Sequence, residues 1–196
     1  MPMTIISIVF IHIFLLFTVL DLHQMVSFWH IFFYPNWTSA ITVTLYTVGI
    51  MAEATARELW QMPTEMVQMV LAATLTGSAT FILFPKVSDE AKRDLAIVLG
   101  LSAFFAFMLY MGEFIFGSMK AEEVTAVLAY VKEGGEYATM FWIGQVFAFI
   151  LPMTLVLLSL KNKSYGILPL AAISAIAGLW LVKHVWLIIP QLLPMS

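Results

Sequence analysis

The stretch RDLAIVLGLSAFFAFMLYMGEFIFGS, residues 93–118, is apolar over almost its whole length. No charged side chain occurs between Leu95 and Gly112. An α-helix rises by about 1.5 Å per residue, so roughly 20 apolar residues are enough to cross the hydrocarbon core of a bilayer. The stretch therefore predicts a transmembrane helix.

The composition of the whole chain favours the same class of protein. Of the 196 residues, 62% are hydrophobic and 11% are charged, and the mean hydropathy is +0.96. Soluble domains are about 45–50% apolar and about 25% charged. The absence of cysteine excludes from this chain an iron–sulfur cluster held in the usual way, a thiolate nucleophile and a disulfide. The formal net charge of −3 argues against a nucleic-acid partner.

Apolar stretches near membrane-crossing length recur along the chain, at residues 4–20, 41–60, 65–85, 93–118, 137–160 and 165–191. We therefore predict an all-α polytopic bundle of about six transmembrane helices, forming a single integral-membrane domain over residues 1–196. Residues 120–132 are expected to form a short surface helix between two spans. Small residues in AATLTGSAT, residues 72–80, and AAISAIAG, residues 171–178, predict close contacts between helices.

Basic residues favour one orientation in the membrane. The connections after the third and fifth spans hold five of them, whereas the opposite side holds three. The two sets are Lys86, Lys92, Arg93, Lys161 and Lys163, against Arg57, Lys120 and Lys132. Basic connections are retained in the cytoplasm, so the larger set is expected on that side.

The segment LDLHQMVSFWHIFFYPNWTSA, residues 20–40, lies between the first two spans. Its rings would suit an aromatic belt at the membrane surface. Asp21, His23 and His30 give a second interpretation, because groups that hydrogen-bond and move protons lie there beside flat aromatic side chains such as Trp29. That combination suits a quinone.

Four ionisable residues inside the predicted spans are candidates for proton transfer, namely Glu53, Glu113, Lys183 and His184. Such residues are costly in hydrocarbon and need partners inside the protein. Each of these residues also has another explanation. Glu113 could be an interfacial carboxylate, Glu53 could pair with Arg57 one turn later, and Lys183 could extend toward an interface. His12 and His184 could in principle bind a haem, although His12 also fits a hydrogen-bonded core imidazole.

The segment from Asp21 resembles a loop of NrfD-like, polysulfide-reductase-type membrane subunits. That family has a D-L-G-R-P stretch, a Trp-His pair and a P-N-x-T-S-P turn in succession. The matching residues are Asp21, Leu22, Trp29, His30, Pro35, Asn36, Thr38 and Ser39. Here His23-Gln24-Met25 replaces Gly-Arg-Pro, and Ala40 replaces the last proline.

Three later stretches are similar to other helices of the same family: YMGEFIFGSMKAEEV with Glu113, the helix with Pro152, and GLWLVKHVWLIIPQLL with Lys183 and His184. Family members have eight or more helices, so the chain resembles a shortened or split member, for which a sister chain would be a further partner.

The resemblance implies a quinone- or menaquinone-binding subunit of a respiratory oxidoreductase complex in a prokaryotic cytoplasmic membrane. An iron–sulfur partner subunit would exchange electrons with the quinone, other membrane subunits would complete the complex, and this chain would hold no haem, no iron–sulfur cluster and no catalytic metal. Asp21, His23, Trp29 and His30 would bind the quinone. Alternative functions are a component of a small-solute or ion transporter, and a membrane anchor or assembly subunit without a ligand.

Overall fold

A computed structural model describes residues 59–85, 87–132 and 134–193, which all fall within the unit Thr44–Ser196. The spans predicted at residues 4–20 and 41–60 lie outside the described residues, apart from the last two positions of the second. The predicted count of six spans and the single domain over residues 1–196 therefore stay predictions.

The first two long helices are joined by a short loop. Helix α1, Met62–Ile82, has Pro63 in its first turn, where a missing N–H costs nothing. Helix α2, Asp89–Phe116, is capped by Ser88, whose hydroxyl accepts from the Ala91 backbone N–H at 3.3 Å. A 3₁₀ turn, Gly117–Met119, ends α2.

A short helix, α3, Glu122–Ala129, follows between two spans. Its buried residues are Val124, Val127 and Leu128, while Glu122 and Thr125 are exposed. The predicted short helix between spans is confirmed over these residues, with one face packed on the bundle.

The third long helix contains a wider turn in its middle. It consists of α4, Ala138–Gln145, a π-helical turn, Val146–Ile150, and α5, Leu151–Asn162. Pro152 cannot donate a backbone hydrogen bond, and its ring would clash with the carbonyl four residues earlier in a regular helix. The wider turn before Pro152 relieves this conflict by pairing each N–H with the carbonyl five residues earlier. Pro152 has no N–H for the Phe147 carbonyl, which accepts from the Ser174 hydroxyl at 2.7 Å.

Helix α6, Leu168–Ile188, ends in a 3₁₀ turn, Ile189–Gln191. Within the described ranges, four helices are long and apolar enough to cross a membrane, which makes this an integral membrane protein of helical class. They are Pro63–Ile82, Asp89–Met119, Ala138–Asn162 and Leu168–Gln191. These confirm the spans predicted at residues 65–85, 93–118, 137–160 and 165–191.

Successive long helices run antiparallel and form a four-helix bundle. Thr74 of α1 and Ser102 of α2 share a hydrogen bond at 3.0 Å between their hydroxyls. Gly178 of α6 lies directly against the backbone of Ala148, so the small residues predicted to allow close approach do so in α6. Large apolar side chains such as Phe105 remain exposed on the outside, where the acyl chains of a bilayer would cover them.

Candidate functional site

Helices α1 and α6 each place a polar pair on the face that points into the bundle. Glu65 and Gln68 lie near the start of α1, and Lys183 and Trp186 lie near the end of α6. Residues three apart share a helix face. Because α1 and α6 are antiparallel, the two pairs meet at the same end of the bundle.

Direct contacts join these four side chains. Glu65 Oε1 accepts a hydrogen bond from Trp186 Nε1 at 2.8 Å, and Glu65 Oε2 lies 3.5 Å from Lys183 Nζ. Lys183 Nζ also donates to Gln68 Oε1 at 3.2 Å. Glu65 is only 1% exposed. The two opposite charges therefore compensate each other inside the protein, as ionised groups within a membrane bundle require.

Tyr110 of α2 completes this group, which we call the interior polar cluster: Glu65, Gln68, Tyr110, Lys183 and Trp186. Lys183 Nζ lies 5.7 Å from the centroid of the Tyr110 ring, within the range of a cation–π interaction. The Tyr110 and Trp186 rings meet edge to face with centroids 5.2 Å apart. Aromatic rings thus line the charged pair on the sides facing α2 and α6.

Three polar atoms of the cluster have no hydrogen-bond partner among the residues that the structure describes, namely Glu65 Oε2, Gln68 Nε2 and the Tyr110 hydroxyl. Buried polar atoms in proteins nearly always bond to a protein group or to an ordered water. These three atoms are therefore able to bind a water molecule, and the carboxylate and the phenol can also exchange a proton with it.

Gln145 is a further buried polar residue with unused hydrogen-bonding groups. It is 0% exposed, and neither amide atom has a partner in the described part of the chain. It ends α4 at the π-helical turn, a type of distortion that is frequent at functional sites. Phe149, four residues later, stacks on Tyr110 with centroids 5.7 Å apart. Gln145 therefore lies on the side of its helix that is turned toward α2.

Glu113 forms a second polar group near the end of α2. Its two carboxylate oxygens accept from Lys120 Nζ at 2.7 and 2.8 Å, and Lys120 Nζ also donates to Gln61 Oε1 at 3.4 Å. Glu113 is buried, whereas Gln61 and Lys120 are exposed. Glu113 shares the face of α2 with Tyr110 and lies one turn nearer the helix end. The pair therefore lies between the level of the interior polar cluster and the surrounding water.

Lys183 and His184 are neighbours in sequence, but the structure separates their side chains. Lys183 belongs to the interior polar cluster, whereas the His184 ring stacks on Trp180 with centroids 5.3 Å apart and planes 15° apart. Trp180 is 64% exposed. His184 therefore lies on the outer side of α6, away from the charged pair.

The predicted quinone-binding residues, Asp21, His23, Trp29 and His30, lie outside the described residues, and so do Glu53 and His12. Of the four residues predicted for proton transfer, the structure describes three and places them in three different settings. Lys183 is in the interior polar cluster, Glu113 is in the pair with Lys120, and His184 is beside Trp180.

No sequence pattern singled out Glu65, Gln68, Tyr110 or Trp186 as candidate site residues. Glu65 follows Pro63 in the first turn of α1, where an acidic residue is ordinary because the helix dipole favours it. A usable signal was nevertheless present. Glu65 and Lys183 carry opposite charges in two different predicted spans, and each needs a compensating partner inside the membrane.

Within the described ranges, no group of three histidine, cysteine, aspartate or glutamate side chains is placed to hold a metal ion. Comparison of the chain with family models, with curated proteins and with solved structures gave no match. The fold and the site together define a class, an integral membrane helical bundle with a compensated charge pair in its interior.

Proposed function

We propose that this protein is a quinone- or quinol-interacting subunit of a respiratory oxidoreductase complex, and that the interior polar cluster handles the protons of that chemistry. The observation that carries the proposal is the buried pair of Glu65 and Lys183 beside Tyr110. Ionisable residues inside membrane bundles are rare, and they mark proton or substrate pathways.

The geometry of the cluster supports a proton-handling role. Glu65 Oε2 accepts no hydrogen bond from the described residues, and the Tyr110 hydroxyl has no described acceptor. The cluster holds a carboxylate, an ammonium and a phenol, three groups that can exchange a proton directly or through one bridging water. Glu113 and Lys120 continue the polar groups along α2 toward the exposed end of the bundle, which supports exchange with water on that side.

The quinone itself is assigned to the segment of residues 20–40 by its resemblance to NrfD-like subunits, with Asp21, His23, Trp29 and His30 as its contacts. Reduction of a quinone to a quinol takes two electrons and two protons. An iron–sulfur partner subunit would deliver or collect the electrons, since this chain has no cysteine to hold a cluster. The protons would pass through side chains of this chain, in a prokaryotic cytoplasmic membrane.

The test is the substitution Glu65→Gln in the native complex. It keeps the shape of the side chain and an acceptor for Trp186 Nε1, but it removes the titrating group. We expect quinol turnover to fall by at least about tenfold while the complex still assembles, because removing a proton-transfer group typically has effects of this size or larger. Glu122→Gln, at an exposed position of α3, is the matched control and should leave turnover unchanged. Full turnover in an assembled Glu65→Gln complex would contradict the proposal.

A second candidate, a component of an ion or small-solute transporter, is favoured by one observation. The charged pair lies inside the bundle, where it would line a path between helices. The purified chain alone in liposomes separates the two functions. Proton or solute flux without any partner would favour the transporter, whereas co-purification with an iron–sulfur subunit and extractable quinone would favour the respiratory complex.

A further inference from the structure

A groove opens between α2 and α5 at the opposite end of the bundle from the interior polar cluster. It is a cavity of about 490 Å³ lined by Arg93, Ile97, Leu160, Lys163 and Tyr165. Arg93 is 17 residues before Tyr110 in the same helix, or roughly 25 Å along its axis. The groove is therefore a separate site, and the proposed function makes no use of it.

Two positive charges line this groove, and no acidic side chain does. Neither Arg93 nor Lys163 has a hydrogen bond or ion pair from its side chain within the described ranges. An adjoining cavity of about 280 Å³ shares Lys163 and Tyr165 with this groove. It is also lined by Lys92, but that lysine is paired with Asp89 at 3.1 Å. The groove between α2 and α5 thus carries two cations that form no ion pair within the described ranges.

The end of α5 holds Lys163 in a fixed backbone conformation. Its φ of 50° lies in the left-handed region, and its backbone N–H bonds to the Ser159 carbonyl. The buried Ser159 hydroxyl donates to the Ser164 carbonyl at 2.8 Å, and the Ser164 N–H returns to the Ser159 carbonyl at 3.1 Å. The turn that carries the lysine is therefore closed by three hydrogen bonds.

The lining changes from charged to apolar along the bundle axis. Ile97 lies one turn deeper than Arg93 in α2, and Leu160 lies one turn before Lys163 in α5. Beyond them, Leu101 and Leu157 are exposed on the bundle exterior, at 54% and 66%. A ligand seated here would meet two cations and a phenol at one end and aliphatic side chains at the other.

We propose that this groove binds an anionic phospholipid, with its phosphate between Arg93 and Lys163 and an acyl chain along Ile97 and Leu160. Basic pockets between transmembrane helices on the cytoplasmic side are suited to anionic headgroups, and the distribution of basic residues predicts that side for this end of the bundle. Tyr165 can donate its phenol O–H at the interface, where tyrosine is favoured. A free phosphate would use the two cations but would leave the aliphatic part of the groove empty.

The test compares lipids on the purified, delipidated full-length protein with its native partners. Native mass spectrometry would measure retention of phosphatidylglycerol and of phosphatidylcholine with matched acyl chains, with and without excess inorganic phosphate. We expect phosphatidylglycerol to be retained in preference to phosphatidylcholine. Arg93→Gln and Lys163→Gln should each weaken its binding about fivefold, and the double variant about 25-fold. Lys161→Gln, at an exposed position that does not line the groove, is the control and should bind as the parent does.

Each other result would overturn the proposal. Equal retention of the two lipids would show that the charge of the headgroup does not matter. Unchanged binding in the double variant would place the lipid elsewhere. Displacement of phosphatidylglycerol by millimolar inorganic phosphate would show a phosphate site that does not use the acyl chain.

Discussion

Glu65 and Lys183 show how one residue depends on another in a membrane interior. Removing either partner leaves the other charge buried and uncompensated, which typically costs about 3–5 kcal/mol. Removing both charges together avoids that cost. The stability of the protein should therefore respond to the two sites jointly, because the energies of contacting residues are not additive.

This dependence predicts the outcome of a double-mutant cycle. Glu65→Gln and Lys183→Met should each lower the thermal stability in detergent, and the combined variant should lie closer to the parent than the sum of the single effects. The measurement is Tm from far-ultraviolet circular dichroism for the four proteins. Additive losses would show that the 3.5 Å approach of the two side chains contributes nothing to stability.

For Gln145 we predict a substitution that raises the thermal stability. Both polar atoms of its amide are buried without a partner among the described residues, and an unsatisfied buried polar group typically costs about 1–3 kcal/mol. Gln145→Leu has nearly the same volume and removes that cost, so we expect Tm to rise. Gln145→Glu, which adds a charge at the same place, should lower it. A fall in Tm for the leucine variant would show that the amide has a partner, such as a bound water.

At the scale of elements, the close approach of α6 to the third long helix depends on Gly178. A Cβ atom at this position would overlap the backbone N of Ala148 and the carbonyl carbon of Phe147. Backbone atoms cannot move aside as the end of a side chain can. The distance between these two helices, and with it the position of Lys183 five residues later in α6, therefore depends on the missing side chain.

Gly178→Ala should accordingly destabilise the protein by about 1–3 kcal/mol, as overpacking typically does. Gly77→Ala is the matched control, since no atom lies within 4 Å of a Cβ built there. Because alanine is the better helix former by about 1 kcal/mol, the control should be neutral or slightly stabilised. Thermal unfolding of both variants in one detergent is the measurement. Equal stability of the two would contradict the close packing at Gly178.

Within the described ranges, the bundle brings its charged groups to two levels, one near each end. The interior polar cluster and the pair of Glu113 and Lys120 lie toward one end, and Arg93 and Lys163 lie toward the other. The middle of the bundle is packed by side chains such as Ala103 and Ala175. This arrangement suits a bilayer, because charge is tolerated near the interfaces or in compensated pairs.

The native absence of cysteine allows a direct test of this arrangement in membrane vesicles. Single substitutions Glu90→Cys and Ser164→Cys should react with an impermeant maleimide from the same side, and Ala126→Cys from the opposite side, because the intervening helices are antiparallel. Phe105→Cys should stay unlabelled, although Phe105 is exposed on the surface of the bundle, since lipid would cover it. Rapid labelling of the Phe105 variant would argue against a membrane-spanning α2.

Parts of the candidate site could be predicted from sequence and parts could not. Lys183 was identifiable because a charge within an otherwise apolar span needs a partner. Its partner was not identifiable, since Glu65 in a first turn has an ordinary local explanation. The different settings of Lys183 and His184 follow from the rotation of about 100° between successive residues in a helix, but which of the two faces inward depends on how α6 packs.

The four spans that the structure describes could be predicted from the sequence alone, because apolar length, prolines and charged residues at the ends act locally on each helix. Which polar side chains meet depends on tertiary packing. Glu65 and Trp186 are 121 residues apart in sequence, and no local pattern relates them. Their contact exists because antiparallel packing, with Gly178 against the Ala148 backbone, brings the start of α1 and the end of α6 to the same level of the bundle.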